Sequence, residues 1–242
     1  MGDPRLQLRV LGMRYPVYER FYTWQGEGVH LGRAAYFIRL YGCTQACPWC
    51  DSAGTWHPDY RPAGVTLMSA DELASVVAQD SPEGAFVVIT GGEPILFDLN
   101  PLTTVLHALG RKIHLETSGI APLRGEIDWL TLSPKPFGQC PLPEVVARAD
   151  EVKIIVHQPE DIASGLATLQ GLPERSSIWL HPEWSKARDR DAGVLNAITD
   201  AVKQSPRLRA GYQMHKLYRA DELDANSHKQ LIPLGGNTVL GY

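Results

Sequence analysis

An α/β protein built as an incomplete, TIM-like barrel of parallel βα units is the fold class this sequence predicts. Three observations carry the prediction. Short runs alternate with amphipathic segments over most of the length. The runs are mostly apolar along their whole length, as in parallel strands buried on both faces. About six precede the last long helical segment and one follows it, too few for the eight strands of a closed barrel.

The predicted strands are Ala35–Leu40, Phe86–Thr90, Lys112–Glu116, Trp129–Ser133, Glu151–Val156, Ile178–His181 and Arg209–Gln213. Between them lie helix signals. Ser69-Ala70-Asp71-Glu72 reads as a capping box, and Leu73, Val76 and Val77 then mark one apolar face. Asn100-Pro101 opens a second helix, because proline in the first turn loses no hydrogen bond. Leu102, Val105, Leu106 and Leu109 form its stripe and Gly110 stops it. Further helices are expected near Glu160–Leu169 and over Asp189–Lys203, the latter with Val194, Leu195, Ile198 and Val202 on one side. Strands joined by helices pair in parallel through right-handed crossovers. The whole chain reads as a single domain over residues 1–242, with 1–13 as an N-terminal extension and 217–242 as a tail interrupted by Pro233, Gly235 and Gly236.

Composition bounds the function. The 242 residues are 44% hydrophobic and 21% charged, an ordinary globular balance that argues against disorder and coiled coil. A formal charge of −4 supplies no excess to hold a nucleic-acid backbone. No apolar run reaches the roughly 20 residues a membrane span needs, and residues 1–5 lack the apolar stretch of a secretory signal, so a cytoplasmic location is expected.

Three of the four cysteines fall within eight residues, as Cys43-Thr44-Gln45-Ala46-Cys47-Pro48-Trp49-Cys50, directly after a predicted strand. A loop at a strand end lets three thiolates converge on one inorganic centre, either an iron-sulfur cluster or zinc. A closed site wants four protein ligands. Three would leave one iron of a 4Fe-4S cluster open to a substrate, and Cys140, isolated in its own loop, is the sole candidate for a fourth thiolate. Disulfides would be out of place in a cytoplasmic protein.

The spacing C-x3-C-x2-C, with Trp49 before the last cysteine, resembles the radical S-adenosylmethionine superfamily. That resemblance implies S-adenosylmethionine chelated at the open iron and cleaved to a 5'-deoxyadenosyl radical. Gly91-Gly92-Glu93-Pro94, at the end of a buried strand, looks like the superfamily's motif in which backbone and a carboxylate meet the cofactor's amino group. Glu116-Thr117-Ser118-Gly119 and Ser133-Pro134-Lys135-Pro136 end the next two strands. By the same resemblance Thr117, Ser118 and Ser133 are expected at the cofactor.

Phe21-Tyr22-Thr23-Trp24-Gln25-Gly26-Glu27-Gly28, Arg33, Phe37–Gly42, Cys47–Ser52 and Gln213-Met214-His215-Lys216 narrow the choice. Together with the other segments they resemble the 7-carboxy-7-deazaguanine synthase family, over about Tyr15 to Lys216. The resemblance implies a lyase that contracts the ring of 6-carboxy-5,6,7,8-tetrahydropterin with loss of ammonia. It also implies a homodimer served by a reductant such as flavodoxin or ferredoxin. Gln25 and Glu27 suit the donor and acceptor edge of a pterin, while Arg39 and His215 suit its carboxylate. The family further implies magnesium, for which the Ser52 hydroxyl is the candidate ligand where many members carry Thr. The rival readings are a radical activase acting on a partner protein and a non-catalytic zinc or iron-sulfur scaffold.

Overall fold

The computed structural model describes residues 13–60, 64–135 and 137–220. The expectations for the first dozen residues and for the tail from 221 onward lie outside the described residues. Leu217 and Tyr218, expected in the tail, belong to a helix instead.

Among the described residues nine strands form one open sheet: β1 (Arg14–Trp24), β2 (Ala34–Leu40), β3 (Thr66–Ser69), β4 (Phe86–Gly91), β5 (Ile113–Thr117), β6 (Trp129–Leu132), β7 (Glu151–Val156), β8 (Ser177–Pro182) and β9 (Leu208–Ala210). Their order is β3-β1-β2-β4-β5-β6-β7-β8-β9. From β2 onward every neighbour pair is parallel, as the alternation of strands and helices requires. The seven expected strands are all present, and the sheet stays open, as an incomplete barrel must.

Two strands are additions. β1 pairs antiparallel with β2 and β3, with a register shift between Val17 and Glu19. The last strand is shorter than expected: Gly211 leaves the sheet beside His181, and a Cβ at that glycine would collide with the imidazole.

Among the described residues are seven α-helices, of which the first six lie between strands and the last follows β9: α1 (Ala70–Asp80), α2 (Asn100–Ala108), α3 (Pro143–Arg148), α4 (Glu160–Ala167), α5 (Trp184–Arg188), α6 (Ala192–Gln204) and α7 (Met214–Tyr218). The capping box of α1 is complete: Glu72 N–H donates to Ser69 Oγ at 3.2 Å and Ser69 N–H donates to Glu72 Oε2 at 2.6 Å. Gly110 ends the α2 segment at φ +71°, a conformation cheap only for glycine. The expected Asp189–Lys203 helix splits. Asp191 accepts from Val194 N–H at 3.1 Å and starts α6 there, while Trp184–Arg188 forms a separate turn before it.

Strand periodicity divides the molecule into two faces. In β7, Val152, Ile154 and Val156 join the apolar core shared with Leu73, Leu102, Leu106, Val145, Ile162, Val194 and Ile198 of the covering helices. The alternate residues Lys153 and Ile155 line a cavity on the other face. Thus in β7 the helices bury Val152, Ile154 and Val156, and the opposite face is left for chemistry, while Phe21, Phe37, Phe86 and Val88 form a smaller apolar cluster on that inner side.

Candidate active site

The inner face encloses a cavity of about 210 Å³. Its upper rim is assembled where parallel strands end. β2 runs into the cysteine loop, β4 into Gly91-Gly92, β5 into Ser118, β6 into Ser133, and β8 into Glu183-Trp184. A second loop, Gln25–Arg33, starts at the opposite end of the sheet, where β1 hands over to β2. It folds inward, bringing Gln25 and Glu27 to the cavity and burying both. Glu151 of β7 pins that loop by accepting from Val29 N–H at 2.7 Å, and a Cβ at Gly28 (φ +68°) would strike its carboxylate.

Cys43, Cys47 and Cys50 all line the cavity, whereas Cys140 is exposed and lies outside it. Burial pushes the Cys43 thiol up and the Cys47 thiol up to about 12. In this environment Cys43 and Cys47 remain thiols until a cation supplies the positive charge that stabilises thiolate. Among the described residues, no group of three His, Cys, Asp or Glu side chains is arranged to hold a single metal ion. Three sulfur donors on one loop fit an iron-sulfur cluster with an open iron, whereas the four-ligand zinc site is not built around Cys140.

Gly91 and Gly92 are tight contacts before they are anything else. Gly92 N–H donates to Leu40 O at 2.9 Å and Glu93 N–H to Gly42 O at 2.7 Å. A Cβ at Gly91 would collide with Leu40 O, and one at Gly92 with Gly42 O. These glycines press the β4 loop against the cysteine loop. Glu93 itself is 1% exposed and is not part of the cavity wall. It accepts from Thr117 Oγ1–H at 2.5 Å, Ser118 N–H at 2.8 Å and the Ser118 hydroxyl, so it braces the two residues that do line the wall. Ser133 Oγ accepts from Lys135 Nζ at 2.7 Å, and that ammonium stands 5.6 Å from the centre of the Trp49 ring.

A chain of charges crosses the cavity. Lys153 donates to Glu27 and, at 3.2 Å, to Glu116 Oε2, while Gln25 Nε2 donates to Glu116 Oε1 at 2.9 Å. Burial alone would raise the Glu27 carboxyl. The Lys153 ammonium and its hydrogen bond, together with the neighbouring imidazoles, outweigh it and hold that carboxyl well below the ordinary range. Burial likewise disfavours the Lys153 ammonium, but Glu116 and Glu27 reverse the shift and drive it above the usual lysine range. Glu27 and Lys153 therefore both stay charged at neutral pH. His181 is fully enclosed, both ring nitrogens lack a hydrogen-bond partner, and burial lowers it to about 4, so it is neutral.

Arg39 reaches the cavity from β2 with its Nε bonded to Glu19 Oε1 at 2.6 Å. His215 packs so tightly on Gly26 that a Cβ there would overlap the imidazole. Ser52 lines the wall, with its Oγ 3.6 Å from Cys50 Sγ. The structure therefore brings every expected site residue to one cavity except Glu93, which stands behind the wall.

Lys153, Asp51, Gln213 and Lys216 had no assigned role from sequence. Lys153 did leave a signal, since with Glu151 it puts charge at alternate positions of a strand whose other residues are Val and Ile. Asp51 and Lys216 left none that a linear reading could join, since they meet across 165 residues.

No model of a protein family matches the chain. Individual relatives do. It is 41% identical over 175 residues to the 7-carboxy-7-deazaguanine synthase of Synechocystis sp., covering 72% of this chain and 81% of that protein. The enzyme of the same name from Flavobacterium psychrophilum is 35% identical, over 85% of this chain and 92% of that protein. A crystal structure of QueE from Escherichia coli superposes with a TM-score of 0.69 at 31% identity, over 89% of this chain and 100% of that one.

Proposed function

The chain belongs to the 7-carboxy-7-deazaguanine synthase family, and from that membership we propose that its cavity contracts the ring of 6-carboxy-5,6,7,8-tetrahydropterin, with loss of ammonia, by radical chemistry. One observation supports the reading above all others: the three thiols, the two-glycine loop and the Glu27–Lys153–Glu116 charge chain open onto one cavity.

Cys43, Cys47 and Cys50 would hold a 4Fe-4S cluster. Gly91 and Gly92 offer backbone, and Thr117, Ser118 and Ser133 offer hydroxyls, to S-adenosylmethionine. When bound, these two groups supply the 5'-deoxyadenosyl radical that takes a hydrogen atom from the substrate. The protein's own part is to bind and orient. Gln25 and Glu27 meet the donor and acceptor edge of the pterin, and a Glu27 kept ionised by Lys153 accepts N–H bonds without taking a proton from the ring. The Arg39 guanidinium and His215 face the substrate carboxylate. Arg39 is pre-set for that task, since Glu19 fixes its Nε and leaves the terminal nitrogens for the ligand. Trp49, Trp56 and Trp184 in the wall limit water around the reacting ring.

Magnesium would take the Ser52 hydroxyl as a hard oxygen donor. Asp51 supports the fit, because among the described residues both of its hydrogen bonds go to Oδ2. The enzyme is further proposed to act as a cytoplasmic homodimer reduced by flavodoxin or ferredoxin. Among the described residues no helix is long and apolar enough to cross a membrane.

The test is anaerobic cluster reconstitution followed by mass spectrometry of the products from S-adenosylmethionine, dithionite and 6-carboxytetrahydropterin. Both 5'-deoxyadenosine and the deazapurine are expected from the wild type, and neither from Cys47→Ala. Cofactor cleavage without deazapurine would overturn the substrate, and an intact cluster that yields neither product would overturn the reaction.

A further inference from the structure

Asp51 follows the third cysteine directly, and three distant stretches of chain meet at it. Its Oδ2 accepts from Lys216 Nζ at 2.9 Å and from Gln213 Nε2 at 3.1 Å. The same Gln213 nitrogen donates to Glu27 Oε1 at 2.8 Å. One amide group therefore spans two carboxylates, one on the cysteine loop and the other on the loop that carries Gln25 and Glu27. The neighbouring residue repeats the tie, since Met214 N–H donates to Gly26 O at 3.0 Å and His215 packs on that glycine.

Lys216 gives the arrangement its energy. Its side chain is 3% exposed, with the ammonium 5.3 Å from the centre of the Trp184 ring, so loss of Asp51 would leave a buried cation without its anion. Asp51 is different: 41% of its side chain is open to the cavity. It is placed by the peptide bond to Cys50 and by these two donors. Anything that fixes Cys50 therefore fixes Asp51, then Gln213 and Lys216, then Gly26 and Glu27.

We propose that Asp51, Gln213 and Lys216 are positioning residues that clasp the cysteine loop to the Gly26–Glu27 loop, so that loading of the thiols and binding of the pterin strengthen one another. The ligand identities rest on the reading of the cavity given above, whereas the clasp rests on the hydrogen bonds alone. Coupling between two sites is reciprocal and typically amounts to a factor of about 5–150.

Two measurements separate the claims. In the first, hydrogen exchange of residues 25–28 and 211–218 is compared between metal-free and anaerobically reconstituted protein, with no pterin present. Loading should slow exchange in both segments of the wild type, and Lys216→Met should abolish the slowing while Lys216→Arg restores part of it. Gln213→Leu provides the same test if the lysine variant does not fold. Equal exchange in the two wild-type forms, or slowing that survives in Lys216→Met, would overturn the clasp. In the second, 6-carboxypterin, a redox-stable probe, is titrated by its fluorescence. Wild type should bind it at least about fivefold tighter when loaded, and the variants should bring the ratio to near one. A ratio near one in the wild type overturns the coupling. If the probe binds neither form while the exchange coupling persists, the pterin reading fails and the clasp stands.

Discussion

Replacing Lys153 with Met tests the charge chain at its centre. Methionine fills much of the same space but leaves Glu27 and Glu116 facing each other with no cation between them. Both carboxylates contact the lysine nitrogen, so they stand roughly 5 Å apart, where two like charges at an effective dielectric of about 20 repel by about 3 kcal/mol. Breaking a buried pair by removing one partner costs about 3–5 kcal/mol, in the same range. At about 2–4 °C per kcal/mol for a chain of this length, Tm at pH 8 should fall by about 6–20 °C.

The pH dependence carries the sharper test. In the wild type Glu27 is depressed, so its contribution is present above the ordinary carboxyl value of 4.5 and is lost only as pH falls through the lowered one. Lys153 is raised, so its contribution is present below 10.5 and is lost only as pH rises through the elevated value. Between about pH 5 and 10 Glu27 and Lys153 therefore give the wild type no slope. In Lys153→Met burial acts on Glu27 without the ammonium, and its carboxyl moves above the ordinary value. A raised acid stabilises below its unfolded value and loses that contribution as pH climbs. The variant should thus be nearer to wild type at pH 5 than at pH 8, and adding Glu116→Gln should recover part of the loss. Differential scanning calorimetry at the two pH values measures it. A deficit equal at pH 5 and 8, or one below about 1 kcal/mol at pH 8, would refute the argument that the Lys153 ammonium keeps Glu27 ionised.

Gly92→Ala forces a methyl into Gly42 O, so a penalty of about 1–3 kcal/mol should come with a lower iron-to-protein ratio after reconstitution; full iron content would show that the loops have room to part. Ser69→Ala removes one half of the α1 capping box and should cost about 1 kcal/mol in urea unfolding, with the iron content unchanged. Arg39→Ala should weaken 6-carboxypterin binding by about 10–100-fold, the equivalent of lost charge-assisted hydrogen bonds worth about 1.5–3 kcal/mol. Unaltered affinity would remove Arg39 from the site.

The parallel strands were legible because their core-facing residues are mostly Val, Ile and Leu, as at Val152, Ile154 and Val156. α1 and α2 were legible because their start signals are local: Ser69 with Glu72, and Asn100 with Pro101. β1 was not recognised as a strand. Its register shift between Val17 and Glu19 changes the phase of the alternation in mid-strand, and Arg14, Glu19 and Arg20 interrupt the apolar run. β3 is a largely exposed edge strand, and the six residues of α3 are too few to show a period. In the site, the cysteine spacing and the Gly91-Gly92 turn are contiguous signals. The partnership of Lys153 with Glu27 spans 126 residues, and no pattern within either segment announces it.

The clasp between Asp51 and Lys216 also imposes an order in time. Its two halves lie 165 residues apart, and a ribosome adding about 5–20 residues per second needs roughly 8–33 s to travel between them. During that interval the three thiols have been synthesised while the residues that later lock their loop have not. The nascent cysteine loop thus precedes its own lock by the time it takes to make two thirds of the chain.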